Sequence, residues 1–405
     1  MNFVFISPNY PENYWMFCRG LKKYGPTVLA IVDQPYNSLS EELKKYCDEI
    51  YVVDTYYNYD AMLRAVAYFT FKYGKIDWIE SNNEAWMQLD AKLREDFHVT
   101  TGFDCKTIEE FQSKAGMKKY YAKAGIPTAR YKVIDSLEDA KAFVKEVGFP
   151  VVMKPDHGVG AGFTYQIESM RELQKFYKIT ENYTMIIEEY IDGDVFTLDG
   201  IVDEKGDIRY LSSFEYVGNV MDSVVYQLSI GCYTEFEIPQ NEKDIAQRVV
   251  SAFGLKNRFF HGEYFRLRNA KKGLGKKGDV IGLELNFRPP GGFCPDLMNY
   301  AGSLDVYELW AEVLLTQNAS YSKLHRFSGA FAGRRNSLHY KNSANALKEK
   351  YADEWISTTY LPAAYAQAMG DEAIIMKFTN EKTRSNFFKD AFAVIEKEKG
   401  NEERA

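Results

Sequence analysis

Glu284, Asn286 and Arg288 occupy every second position of Val280-Ile281-Gly282-Leu283-Glu284-Leu285-Asn286-Phe287-Arg288, a run that opens on bulky apolar residues as a strand does. Successive strand side chains point to opposite faces. The alternation predicts Leu283, Leu285 and Phe287 on one apolar face. It places a carboxylate, an amide oxygen and a guanidinium in a row on the other. The two oxygen types are hard ligands suited to magnesium. A guanidinium suits phosphate or carboxylate. Pro289 ends the ladder, and Gly291 and Gly292 let backbone approach a ligand closely. The bland alternative is an edge strand with a solvated polar face.

Phe259-Phe260-His261-Gly262-Glu263-Tyr264-Phe265-Arg266-Leu267 forms a second strand, and the Lys- and Gly-rich segment from Arg268 to Asp279 reads as a hairpin loop. Folding that hairpin about Gly273-Leu274 sets Glu263 opposite Glu284. Paired side chains share a face and lie a few ångströms apart. Two carboxylates so close repel unless a cation lies between them. One magnesium ion, or a pair, is the natural occupant.

A third element carries a cation. Phe149 to Pro155 reads as a strand ending in Lys154, and Asp156-His157-Gly158-Val159-Gly160-Ala161-Gly162-Phe163 follows it. Small residues let successive backbone N–H groups converge on a phosphate, and the lysine adds a point charge. No GK[ST] follows, so this is not a Walker A loop, and an ordinary glycine-rich turn is the alternative. Ile108 to Gly125 reads as one helical segment carrying Lys114, Lys118 and Lys119, by default a solvated face.

These residues need a scaffold. Residues 1–107 alternate strand and helix: strands at Phe3 to Ile6, Thr27 to Val32, Ile50 to Val53 and Ile76 to Ile79, with helices at Tyr14 to Tyr24 and Asp60 to Tyr73. That rhythm predicts a parallel sheet. The first turn, Ser7-Pro8-Asn9-Tyr10-Pro11, lacks GxGxxG, which disfavours a dinucleotide site. Tyr131 to Glu189 reads as a small α/β unit. Thr184 to Gly200 reads as strand, turn at Asp192-Gly193, strand. Residues from about Ser320 predict a last, smaller unit with strands at Gly329 to Arg335, Glu354 to Tyr360 and Glu372 to Phe378.

The 405 residues suffice for two or three domains, and the net charge of −7 gives nucleic-acid binding no electrostatic support. The five cysteines are scattered without a CxxC pair, as reduced thiols in a cytoplasmic protein would be. No apolar run is long enough to span a bilayer, and the start does not read as a signal peptide.

A lysine-ended strand with a glycine loop, then Glu188-Glu189-Tyr190-Ile191, then Glu263, then Glu284-x-Asn286-x-Arg288 resembles the ordered motifs of the ATP-grasp superfamily, and among its members the ATP-dependent carboxylate-amine ligases. The resemblance covers roughly Ile108 to Trp310. It implies an α/β fold, α+β in the catalytic half: a pre-ATP-grasp parallel-sheet domain (1–107), an ATP-grasp domain (108–318) with a mobile lid about 130–187, and a C-terminal α/β subdomain (319–405). Lys114 and Lys154 then resemble the phosphate lysines, and Gly158, Gly160, Ala161 and Gly162 the cover of the triphosphate. Glu188, Glu189 and Ile191 match the strand that holds adenine, largely through backbone groups. Glu263, Glu284 and Asn286 match the ligands of Mg2+, which Mn2+ can replace. Arg288 matches the arginine that steadies the γ-phosphate. Where many members carry a ribose-binding glutamate this chain has Val195, and alternation turns Asp194 to the opposite face.

The implied chemistry is ATP-dependent. A substrate carboxylate attacks the γ-phosphorus, and an amine displaces phosphate from the acyl phosphate. Partners would be small-molecule carboxylates and amines, with no nucleic acid or membrane, and two packed α/β units of this kind suit a homodimer. A carboxylase using bicarbonate, a non-catalytic nucleotide-binding protein and a plain sugar- or nucleotide-binding α/β module are the alternatives. Phe293-Cys294-Pro295-Asp296, just past the glycine pair, is expected to line the acceptor site. His157 is expected to face solvent, and Cys294 to be a small core residue.

Overall fold

The computed structural model describes residues 1–158, 164–180, 182–218, 223, 226–321 and 327–395. Its first sheet holds β1 (Asn2–Ile6), β2 (Thr27–Val32), β3 (Glu49–Val52) and β4 (Trp78–Glu80), all parallel, in the order β3-β2-β1-β4. β1 is apolar on both faces, as a parallel strand covered by helices must be. Phe3 and Phe5 pack with Phe17 of the helix Trp15–Lys23. Val4 and Ile6 pack on the other side with Phe69 of the helix Tyr59–Tyr73.

The second sheet holds β5 (Tyr131–Ile134), β6 (Val151–Pro155), β7 (Tyr165–Ile167) and β8 (Met185–Glu189), antiparallel, in the order β5-β8-β6-β7. One face is a small core of Ile134, Phe143, Val151, Met153 and Leu173. Alternation along β6 turns Val152 and Lys154 away from it.

The third sheet has eight antiparallel strands: β9 (Gly193–Val202), β10 (Ile208–Val217), β11 (Ile230–Thr234), β12 (Arg258–Leu267), β13 (Val280–Asn286), β14 (Ser328–Arg334), β15 (Trp355–Tyr360) and β16 (Glu372–Phe378). Their order is β13-β12-β9-β10-β11-β14-β16-β15. The three C-terminal strands lie close to their expected bounds. They build no sheet of their own but extend this one, because β14 pairs with β11 as well as with β16. Among the described residues no helix is long and apolar enough to cross a membrane.

Two local departures matter for the site. Ile108 to Gly125 is broken at Ser113 into helices Cys105–Gln112 and Lys114–Lys123. The Ser113 hydroxyl accepts from the Gly116 N–H at 2.9 Å and donates to Asp156 at 2.7 Å. Serine favours such a cap over a helix interior because its oxygen satisfies an otherwise unpaired amide. Lys114 therefore stands at a helix start, and not midway along a solvated face.

The second departure is a bulge. Glu263 pairs with Glu284, as the hairpin arithmetic predicts, but Tyr264 pairs with Gly282. Leu283 is the extra residue. Leu285 and Phe287 are buried in the core, whereas Leu283 is turned to the cleft wall, which corrects the simple alternation. Gly282 is needed here because a Cβ would stand 2.6 Å from the Tyr121 ring. Gly282→Ala should destabilise the fold by about 1–3 kcal/mol through overpacking. Urea titration should show a lowered midpoint.

Candidate active site

The register of β9, β12 and β13 stacks three rows on one face of the large sheet. Asp199, His261 and Asn286 form the first, and Thr197, Glu263 and Glu284 the second. Val195 and Phe265 form the third, beside the bulged Leu283. The face thus changes from polar to apolar within three residue pairs. The second sheet and the helix Lys114–Lys123 stand opposite, and the cleft between has a volume of about 410 Å³.

The first two rows are hydrogen-bonded to each other. His261 Nδ1 lies 2.5 Å from Asp199 Oδ1, and its Nε2 lies 3.2 Å from Glu263 Oε1. The Thr197 hydroxyl donates to Asp199. Burial works against a charged imidazole, but Asp199 and Glu263 outweigh it and push the His261 pKa up to about 10. Glu263 is held below the ordinary carboxylate value: burial opposes its charge, and His261 prevails. Glu284 moves the other way. Burial raises it, Lys114 opposes that shift, and Glu263 adds to it by repulsion. A divalent cation fits this imbalance. Among the described residues no group of three or more His, Cys, Asp or Glu could hold a metal alone. Two carboxylates and an amide suit magnesium that takes its remaining ligands from water and substrate phosphates.

The opposite wall is cationic. Lys114 and Lys118 sit four apart on one helix face. The Lys114 ammonium donates to the Gly158 carbonyl at 3.0 Å. Glu188 lies between two buried lysines, 2.6 Å from Lys118 and 2.7 Å from Lys154. Burial disfavours the Glu188 charge, but Lys154 and Lys118 hold its pKa at about 2. Burial lowers the Lys118 pKa; Glu188 opposes this and Lys154 reinforces it. The triad carries one unmatched positive charge in a buried wall of the cleft, which an anion would complete.

Arg288 closes one end of the cleft. Its Nε and Nη2 lie 3.0 and 2.9 Å from Glu84 Oε2. With its amide nitrogen toward Glu84, Asn286 donates at 2.9 Å to both carboxylate oxygens. Glu84 comes from the loop after β4, the carboxyl end of a parallel strand, where open α/β sheets bind ligands. At the other end lie Glu189, Tyr190 and Ile191. The Glu189 carboxylate is occupied by Arg130 at 2.8 Å and Lys271 at 3.3 Å.

The structure therefore brings Lys114, Lys154, Glu188, Glu189, Ile191, Glu263, Glu284, Asn286 and Arg288 to one cleft. Gly160, Ala161 and Gly162 lie outside the described residues. Val195 lines the wall, while Asp194 is turned away into a pair with Arg268. His157 is exposed. Phe293 packs at a tilt against Phe331 with ring centroids 5.6 Å apart, Cys294 meets Cys232, and none of residues 293–296 lines this cleft. Glu84, Lys118, Leu283 and the Asp199–His261 pair were not singled out by the sequence. Lys118 was visible one helical turn from Lys114, and His261 two residues before Glu263 on the same face. Leu283 left no signal, because a bulge is not written in alternation.

A family model described as the ATP-grasp domain matches residues 119–269. The chain carries an ATP-grasp domain. The match spans the second sheet and β12, and so includes Lys154, Glu188 and Glu263. An L-arginine-specific L-amino acid ligase of Bacillus subtilis is 24% identical over 279 residues, 65% of this chain and 63% of that protein. A phosphoribosylamine–glycine ligase of Lactococcus lactis is 37% identical over 89 residues, 21% of each. These alignments span less than two thirds of the relatives' own lengths. The crystal structure of an L-amino acid ligase from Bacillus licheniformis superposes with a TM-score of 0.72 at 13% identity, covering 98% of both chains. The fold of that structure thus extends over the whole chain, beyond the residues that the family model matches.

Proposed function

We propose that this chain is an ATP- and magnesium-dependent carboxylate-amine ligase, which activates a small carboxylate as an acyl phosphate and joins it to an amine such as an amino acid. The observation that supports this reading is the single cleft in which Glu263 and Glu284 face Lys114, Lys118 and Lys154, with Arg288 at its end. Phosphoryl transfer needs positioning and charge neutralisation more than a nucleophilic side chain, and this inventory supplies both. The names of the relatives point to substrates of the amino-acid class.

Lys154 and Lys114 hold phosphate oxygens, and the hinge backbone at Glu189 to Ile191 holds the base. Glu263, Glu284 and Asn286 would hold Mg2+, or Mn2+ in its place, which when bound neutralises phosphate charge. Arg288 steadies the transferred phosphoryl group. The carboxylate oxygen attacks the γ-phosphorus in line, the bond to the β-bridging oxygen breaks, and ADP leaves. The amine nitrogen then attacks the acyl carbon, the carbon–oxygen bond to phosphate breaks, phosphate departs with its electron pair, and the nitrogen loses a proton to give the amide. Residues 130–187 act as a lid that keeps water from the acyl phosphate.

Hydroxylamine captures acyl phosphates as hydroxamates. With ATP, magnesium and an amino-acid panel, hydroxamate should accumulate for the accepted carboxylate in step with ADP. ADP release with bicarbonate alone, and no hydroxamate from any amino acid or dipeptide, would favour a carboxylase instead.

A further inference from the structure

His261 belongs to neither wall of the cleft as the proposed chemistry uses it, yet it is buried with both ring nitrogens engaged. Nδ1 meets Asp199 at 2.5 Å, and Nε2 meets Glu263 at 3.2 Å. Asp199 is fully buried and also takes the Thr197 hydroxyl. The chain Thr197, Asp199, His261, Glu263 therefore runs from the sheet interior to the cleft. All four side chains share one face of β9 and β12. A glutamate at a cleft surface has three side-chain torsions to settle, and among the described residues its side chain hydrogen-bonds to His261 alone. We infer that His261 is a positioning residue, held by Asp199, that fixes the Glu263 carboxylate with one oxygen toward the imidazole and the other free for a divalent cation. This rests on the reading of Glu263 as a metal ligand. Partners that orient a ligand in this way typically change metal affinity by 10–100-fold when removed.

Two amide substitutions divide the two bonds. The asparagine nitrogen of His261→Asn stands near the place of Nδ1 and can serve Asp199 but not Glu263. The glutamine nitrogen of His261→Gln stands near Nε2 and can serve Glu263 but not Asp199. Mn2+ is titrated into each protein with a non-hydrolysable β,γ-imido ATP analogue, and free Mn2+ is read by electron paramagnetic resonance. His261→Asn should lose about tenfold or more in Mn2+ affinity, and His261→Gln should stay within about threefold of the wild type. Equal losses in the two, or the larger loss in His261→Gln, would assign His261 a merely structural role as the Asp199 counter-charge and overturn the inference. The same pair on an Asp199→Asn background leaves no buried carboxylate facing a neutral amide, so the comparison holds if a single variant fails to fold. A wild type that binds Mn2+ no better with the nucleotide than without it would overturn the metal reading itself. Tight wild-type binding with indistinguishable variants would overturn only the role of His261.

Discussion

Glu188→Gln should lower the stability of the protein without nucleotide by about 3–5 kcal/mol, the usual cost of leaving a buried charge unpaired. Here two are left, because Lys118 and Lys154 share this one carboxylate at 2.6 and 2.7 Å. The loss is not a measure of what the triad contributes. Replacing Lys118, Glu188 and Lys154 together with methionine should leave stability near that of the wild type, since desolvating three ions offsets their attraction. Such a triad is poorly explained by stability alone and well explained by an anionic ligand. Magnesium-ATP should therefore restore part of the Glu188→Gln loss, by binding the folded state only.

The same carboxylate sets an acid limit. Its pKa is about 2 in the fold against 4.5 for the free group. A depressed carboxylate stabilises the fold above its unfolded pKa, and that contribution disappears as pH falls through its folded value. Roughly 3 kcal/mol should be lost between about pH 4.5 and pH 2. Glu188→Gln should flatten this part of the stability profile, read by chemical denaturation at a series of pH values. An unchanged slope would show that the lysines are neutralised elsewhere.

Glu284→Gln should abolish turnover while leaving the apo protein no less stable, and melting somewhat higher. Glu263 and Glu284 are directly paired across β12 and β13, and Glu284 is raised in pKa by burial and by Glu263, against Lys114. Without a cation the pair is under strain, and an amide of the same shape relieves it. With magnesium-ATP the order reverses. The wild type should gain many degrees and the variant few, because the amide has lost the charge that the cation needs. A variant that melts lower than wild type when apo and turns over normally would make Glu284 a structural partner.

Much of this site could be read from residue order. The Glu263–Glu284 pairing followed from counting both ways round a hairpin, because register in a two-stranded ribbon is fixed by its loop length. The parallel sheet of residues 1–107 followed from short apolar strands spaced by helices. What escaped has physical reasons. Leu283 escaped because one extra residue in β13 reverses local facing. Glu84 escaped because it reaches Arg288 from more than two hundred positions away, across two elements with no shared periodicity. The continuation of the large sheet through β14, β16 and β15 escaped because strand partners are not encoded within a strand. Glu188 was expected to act through its backbone, and its ion pairs with Lys118 and Lys154 appear only when three separate elements converge.

Isothermal titration of ATP into the wild type and into Lys154→Met, each with and without magnesium, tests the central claim most directly. The account predicts binding to the wild type that strengthens markedly with magnesium. Lys154→Met should stay folded, with Lys118 still facing Glu188, and its affinity should fall by about tenfold or more, as losing a charged hydrogen bond of ~1.5–3 kcal/mol implies. Equal ATP affinity in a folded Lys154→Met protein, unchanged by magnesium, would contradict it.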